Sequence, residues 1–233
     1  MKLSIIIPVY NEEKTIIEIL KKIENVRHIK KQIIVIDDKS DDRSFELINS
    51  FYFESEFEII RHHINSGKGS CIKSAKNHIS GDIVIIQDAD LEYDPSDYDN
   101  IINEINKTKK KVVYGSRVLN KKRYNQKNFI SNFRIFGNHI LTLLTNLLYF
   151  QKLTDAHTCY KAFQSEIFKK INLEEDDFAF CPEITAKISK LGYKIHEVPI
   201  SYKGRDYTEG KKISFFDGIR AILVLLKYRI FNH

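Results

Sequence analysis

Apolar residues fall into two kinds of run along this chain, and the change from one kind to the other divides it. In the first half, short unbroken runs alternate with stretches of helical period. Leu3–Ile7 is an isoleucine-rich run stopped by Pro8, which cannot donate to a ladder. Ile16, Ile17, Leu20 and Ile23 follow at helical spacing and predict a helix over Glu12–Ile23. The alternation then repeats: a strand at Gln32–Ile36 and a helix at Asp41–Phe51, with Phe45 and Ile48 inward; a strand at Glu58–Arg61 and a helix at Lys68–His78; a strand at Asp82–Ile86 and a helix at Pro95–Lys107; and a strand at Lys111–Tyr114. Near-continuous apolar strands are those covered on both faces. The pattern predicts an α/β protein with a Rossmann-like, mostly parallel sheet flanked by helices.

The second half changes character. Phe133–Phe150 is strongly apolar, yet Arg134, Asn138, Thr142 and Thr145 recur at spacings of three or four and form a narrow polar stripe. That is too many polar breaks for a spanning helix, which needs about 20 apolar residues. The segment suits a helix lying in a membrane interface, and equally a buried helix of the core or of a dimer. Phe215–Phe231, with Arg220, Lys227 and Arg229, is a second amphipathic candidate. Lys121–Asn128 reads as a mobile loop.

With 42% apolar and 12% aromatic residues, the 233-residue chain can bury a sizeable core, and one domain uses all of it. Cys71, Cys159 and Cys181 form no disulfide framework and no metal-ligand spacing. The apolar start is too short for a signal peptide, so a reducing cytoplasm is expected. The net charge of +6 matters less than its placement: Ile105–Thr154 holds eleven Lys and Arg and no Asp or Glu. Such a span is either a solvated basic face or a surface for phosphates or anionic lipid. It carries no recognisable nucleic-acid module, so no nucleic-acid partner is expected.

Ligands of parallel sheets bind beyond the strand carboxyl ends, and the acidic clusters fall there. Gln87-Asp88-Ala89-Asp90 follows the strand Ile83–Ile86 directly. Two carboxylates two residues apart can approach one hard cation if the chain turns, and Mg2+ or Mn2+ prefers such oxygen donors. Such an ion stabilises a departing diphosphate. In Pro8-Val9-Tyr10-Asn11-Glu12-Glu13, Tyr10 offers a flat face to a base, Asn11 an N-cap, and Glu12 an acceptor for a base or ribose. Asp37-Asp38-Lys39-Ser40-Asp41-Asp42 sets carboxylates at the next strand end, for ribose hydroxyls or a base edge, with Ser40 or Asp41 as helix caps. Asn65-Ser66-Gly67-Lys68-Gly69 is a glycine-bearing loop without the NTPase phosphate-loop spacing.

The strings IIIPVYNEE, VIDDKSDD, NSGKG, DADLEYDP, GSR, DAHTCYKAF, CPEI, EVPISYKGR and DGIRAILVLLKYR run in order from residue 5 to residue 229. Together they resemble a family-2 glycosyltransferase of the GT-A fold, of the kind typified by dolichol-phosphate mannose synthases. The resemblance implies a nucleotide-sugar pocket of Pro8, Tyr10, Glu12, Asp37, Asp38, Lys68, Asp88, Ala89 and Lys212. It implies Mg2+ or Mn2+ at Asp88, Asp90 and Glu92, the last standing where relatives often carry Gln. Arg117 and Arg134 resemble arginines that bind an acceptor phosphate, and Arg205, near Lys211 and Lys212, resembles one on a loop closing over the donor diphosphate. Asp155 is expected beside the sugar, with Cys159 where relatives often have Gly, and Glu183 either binds sugar hydroxyls or caps a helix. Asp90, Arg117, Asp155 and Arg205 are thus the expected catalytic residues. The halves would be 1–118 for the nucleotide sugar and 119–213 for the acceptor, with an amphipathic helix at 214–233.

The expected activity is inverting transfer of a hexose from a GDP- or UDP-linked sugar to a polyprenyl or dolichyl phosphate. The enzyme would sit peripherally on the inner face of the cytoplasmic membrane. The alternatives are a soluble glycosyltransferase acting on a saccharide hydroxyl, and a sugar nucleotidyltransferase. The latter usually opens on a Gly-rich nucleotide loop, where this chain has Pro8-Val9-Tyr10-Asn11.

Overall fold

A computed structural model describes residues 1–108, 110–120, 129–205 and 215–231, with side chains except those of 129–134 and 215. The five predicted strands join two unpredicted ones from the second half in one seven-stranded sheet. In chain order the elements are β1 (Leu3–Val9), α1 (Ile16–Asn25), β2 (Lys31–Asp37), α2 (Ser44–Ser50), β3 (Glu56–Arg61), α3 (Lys68–Ala75), β4 (Ile83–Ile86), α4 (Tyr98–Thr108) and β5 (Val112–Ser116). They continue with α5 (Phe129–Tyr149), β6 (Lys161–Gln164), α6 (Ser165–Lys170), α7 (Phe180–Lys190), β7 (His196–Pro199) and α8 (Phe215–Ile230). The strand order is β3-β2-β1-β4-β6-β5-β7. All neighbours are parallel except β6, which runs antiparallel between β4 and β5.

Alternate residues of the central strands serve two cores. Ile5, Ile7 and Val9 face α1 and α4, while Ile6, Ile34 and Ile36 face α3 and α7. The chain leaves β1 toward β2 on one side and returns as β4 on the other. The β1/β4 border is therefore the topological switch point, where a crevice opens past the strand ends. Glu12 lies just after β1, and Asp88 and Asp90 just after β4, so the two sides of this border carry the candidate carboxylates.

Local readings change in four places. Helix α1 starts at Ile16, not Glu12, and Asn11 does not cap it: its backbone is left-handed (φ 51°), and its Oδ1 accepts from Asp41 N at 2.9 Å. Asp42, rather than Ser40 or Asp41, accepts from Ser44 N at the start of α2. Phe45 is half-buried beneath the Arg61 guanidinium instead of in the core.

The fourth change bears on function. In α5 the described part of the polar stripe, Asn138, Thr142 and Thr145, faces the protein. Thr142 and Thr145 are buried, and each hydroxyl donates to the carbonyl four residues back. Thr142 Oγ1 also accepts from Ala156 N, and the Asn146 side chain closes on both backbone groups of Leu153. Phe136, Ile140, Leu143, Leu147 and Phe150 point out and are exposed, while Leu141, Leu144, Leu148 and Tyr149 pack inward. Helix α8 packs on α5 and α7 through Ala221, Val224, Leu225 and Tyr228, and leaves Phe216, Ile219, Leu223, Leu226 and Ile230 exposed. Among the described residues, no helix is long and apolar enough to cross a membrane.

Candidate active site

The loops after β1 and β2 are laced together. Asn11 N and Glu12 N donate to the hydroxyls of Ser40 and Ser44, and Glu13 N donates to Asp42. Beneath this lacing Asp37 is fully buried. Its Oδ2 accepts from Ser40 N and pairs with Arg61, while its Oδ1 is buried with no partner. An orphaned carboxylate oxygen at a strand end keeps the capacity for one more hydrogen bond, and this one lies beneath the surface of the loops. Asp38 is fully engaged instead. It accepts from Ser66 N, Gly67 N and His62 Nδ1, and so pins the glycine-bearing loop to β2. Among the described residues, Asp38, His62 and Cys71 are a group with ligand atoms within 4.8 Å of one another. Those Asp38 bonds, and a Cys71 thiol that burial pushes well up, make it a hydrogen-bonded brace and a poor metal cage.

Gly67 and Gly69 let that loop dock. Gly67 has φ +94°, and a Cβ there would meet Asp176 O at 2.5 Å; a Cβ on Gly69 would collide with Glu175 O. The docking aims Lys68 at the crevice, where its Nζ bonds Asp88 Oδ1. Burial opposes the lysine's charge, but the Asp88 carboxylate outweighs it and the pKa is raised.

The other carboxylates meet Arg205. Its guanidinium pairs with both oxygens of Glu12, at 2.9 and 3.1 Å, and with Asp90 Oδ2 at 3.0 Å. Its backbone N donates to Glu92 Oε1, and Glu92 Oε2 accepts from Tyr202. Glu92 therefore ties the 202–205 segment over the crevice. Burial first, then the charges of Asp88 and Glu92, push the Asp90 carboxyl up to about 7 despite Arg205. A clustered oxygen donor set whose charge is met by a lysine and an arginine fits a hard divalent cation. Asp88 and Asp90 are the expected ligands, while Glu92, expected beside them, is taken up by Arg205 N and Tyr202 OH.

Arg117 and Asp155 form one unit. Nε and Nη2 of Arg117 reach the two carboxylate oxygens at 2.7 and 2.8 Å, and Arg117 N adds a bond at 3.1 Å. Burial works against the Asp155 charge, but Arg117 wins and holds the carboxyl below its usual range. Glu197, on β7, fixes the approach to this pair by accepting from Thr154 N, Thr154 Oγ1 and Asp155 N. Glu197 and Tyr202 carry no role in the sequence reading; the EVPISY string holds both, but their partners lie far away in the chain. Glu183 does not cap α7: it is fully buried, and its oxygens accept from Glu174 N and Glu175 N and pair with Lys187. Pro8 and Tyr10 end β1, and Ala89 is buried within the acidic turn. Arg134 lies on α5 with its side chain outside the described residues, as are Lys211, Lys212 and Lys121–Asn128.

His157, two residues past Asp155, is held neutral. Burial and then the Lys161 charge push its imidazole down to about 3, and its Nε2 is buried without a partner. An unfolded histidine takes up a proton below about 6.5. Between that pH and about 3 the unfolded chain binds the extra proton, so stability falls as pH falls. By pH 5 this one group accounts for about 2 kcal/mol. We expect His157→Phe to lose less thermal stability than wild type when the pH is lowered from about 7 to about 5; equal losses would remove histidine from the account.

The sequence of residues 4–172 matches the family model described as Glycosyl transferase family 2. The chain is 27% identical to a dolichyl-phosphate beta-glucosyltransferase of Trichomonas vaginalis, over 99% of this chain and 73% of that protein. It is 29% identical to a UDP-N-acetylglucosamine–dolichyl-phosphate N-acetylglucosaminyltransferase of Methanococcus voltae, over 97% and 95%. In fold it is similar to the glucosyl-3-phosphoglycerate synthase of Mycobacterium tuberculosis, solved with Mg2+ and UDP: the TM-score is 0.71 at 17% identity, covering 100% of this chain and 80% of that one. A GT-A sheet, carboxylates at its switch point and this match over most of the length lead to one assignment: the chain belongs to glycosyltransferase family 2.

Proposed function

We propose that this protein is a metal-dependent, inverting glycosyltransferase that moves a hexose from a GDP- or UDP-linked sugar to a polyprenyl phosphate at the cytoplasmic face of a membrane. One arrangement carries the reading: a carboxylate crevice linked through the fold to an outward apolar face. Helix α5 bonds through Thr142 to Ala156, next to Asp155. Helix α8 holds Glu175 through Arg220 and Lys227, and the Glu175–Asp176 backbone packs on Gly67 and Gly69 beside Lys68.

In this reading Asp88 and Asp90 would hold Mg2+ or Mn2+, which would supply positive charge against the departing diphosphate. Asp37 Oδ1 and Tyr10 receive the nucleoside. Arg205 and Lys68 turn from their carboxylates to the diphosphate oxygens, in a site that excludes water. Arg117, oriented by Asp155, meets the acceptor phosphate by charge-assisted bonds, together with Arg134. The acceptor oxygen then attacks the anomeric carbon from the face opposite the leaving group. The state of Asp155 favours a phosphate over a hydroxyl acceptor. Both its oxygens are tied to Arg117, which suits an orienting role better than proton abstraction, and a phosphate needs no proton removed.

The test is a panel of GDP- and UDP-sugars offered with a short polyprenyl phosphate, the product identified by mass. A glycosyl-phosphoryl-polyprenol is expected. Transfer only to a free oligosaccharide would defeat the lipid acceptor, and pyrophosphate release from a sugar phosphate and a nucleoside triphosphate would defeat the transferase reading.

A further inference from the structure

Gln87, the residue before the acidic turn, uses every bond its amide can make across that turn. It is fully buried, and its backbone N donates to Ile6 O of β1. Its Nε2 donates to Asp88 O at 3.0 Å and faces Tyr93 O at 3.4 Å, bridging the start and the end of the 88–93 turn. Its Oε1 accepts from Tyr98 OH at 2.8 Å and from Tyr160 OH at 3.1 Å. Two carbonyls on one side of the amide require the donor there, so the orientation is not free.

The turn needs such a hold. Leu91 sits at φ 63°, a left-handed conformation that costs a leucine about 1–2 kcal/mol and persists only where the surroundings impose it. The surroundings are four tyrosines. Tyr93 and Tyr98 stack on Tyr160, and Tyr202 leans on Tyr93. Tyr160 OH also reaches Asp94 O, and Tyr93 OH accepts from Cys159 N. The cluster thus joins the acidic turn to the 155–160 segment and to the strap at Tyr202, with the Gln87 amide at its centre.

We infer that Gln87 is a positioning residue: its amide, seated on Tyr98 and Tyr160, sets the backbone of the 88–93 turn so that the Asp88 and Asp90 carboxylates face one cation. This rests on the metal-dependent reading above. A residue that merely filled space would be replaceable by an apolar side chain of equal length. One that sets the turn would lose cation affinity in that exchange even with the fold intact.

The experiment is calorimetry of Mn2+ with GDP and with UDP, alongside thermal unfolding. Gln87→Met keeps the length and removes the bonds, but takes the acceptor from the Tyr98 hydroxyl and so costs stability, while Tyr160 OH keeps Asp94 O. Gln87→Met with Tyr98→Phe removes that hydroxyl and is expected to regain part of the lost midpoint. We expect at least a tenfold loss of Mn2+-dependent nucleotide affinity in both, and a smaller loss in Tyr98→Phe alone, which keeps the amide. Wild-type affinity in the folded double variant would overturn the role of Gln87 and leave the metal site standing. A wild-type protein with no Mn2+-dependent affinity for either nucleotide would overturn both.

Discussion

Asp90→Ala is expected to abolish turnover while leaving the protein as stable as wild type, or slightly more so. The carboxylate is buried among like charges, with Asp88 and Glu92 both raising its pKa. Removing it relieves that crowding but gives up the bonds from Arg205 and from Glu92 N, so the two effects nearly offset, and Arg205 keeps its bidentate hold on Glu12. Sites that crowd charge for function gain stability when emptied. The catalytic loss has a different origin. Deleting one electrostatic stabiliser of a developing charge costs about 10²–10³ in rate, and deleting a ligand of the ion that carries the charge costs at least as much. EDTA should reproduce the effect, and added Mn2+ or Mg2+ should restore wild type but not the variant. Activity in EDTA equal to that in Mn2+, or Asp90→Ala retaining more than about a tenth of wild-type turnover against that range, would remove the cation from the mechanism.

The second large effect is expected at the outer face of α5 and α8. Leu147 and Leu223 are 73% and 60% exposed, so Leu147→Asp with Leu223→Asp removes little packing. Each leucine taken from water into an apolar phase is worth about 1.5–3 kcal/mol. The pair should therefore lower partition onto liposomes of mixed neutral and anionic lipid by at least about 10², with an unchanged thermal midpoint. Wild-type partition should weaken as salt rises, because the basic span and the Arg229 side chain act through a screened field. A wild-type protein that stays in the supernatant with such liposomes at low salt would end the peripheral reading. A dimer in solution that the same two substitutions dissolve would assign this face to a second copy of the chain.

The structural relation behind this prediction was only half legible in the sequence. Periodicity placed Asn138, Thr142 and Thr145 on one stripe of α5, and that stripe is real. It did not say which way the stripe faces. A polar stripe normally turns to water; here Thr142 and Thr145 satisfy their hydroxyls on the helix's own carbonyls and can be buried, and Ala156 and Leu153 supply polar partners inward. Similarly, the basic span was visible as composition, but the bidentate capture of Arg117 by Asp155, 38 residues away, was not.

What the sequence determined by itself is the frame. Unbroken runs such as Leu3–Ile7 and Ile83–Ile86 must be covered on both faces, which forces a mostly parallel sheet and delivers Glu12, Asp37, Asp88 and Asp90 to its carboxyl edge. The tertiary structure alone decided the rest: β6 inserted antiparallel between β4 and β5, Arg205 folded back across 193 residues onto Glu12, Asp38 spent on the loop it pins, and the tyrosine cluster around Gln87. The reason is one of range. Local pattern reports which side chains share a face, because that depends on backbone period; which partner a buried charge or amide finds depends on groups that only the completed fold brings within hydrogen-bond distance.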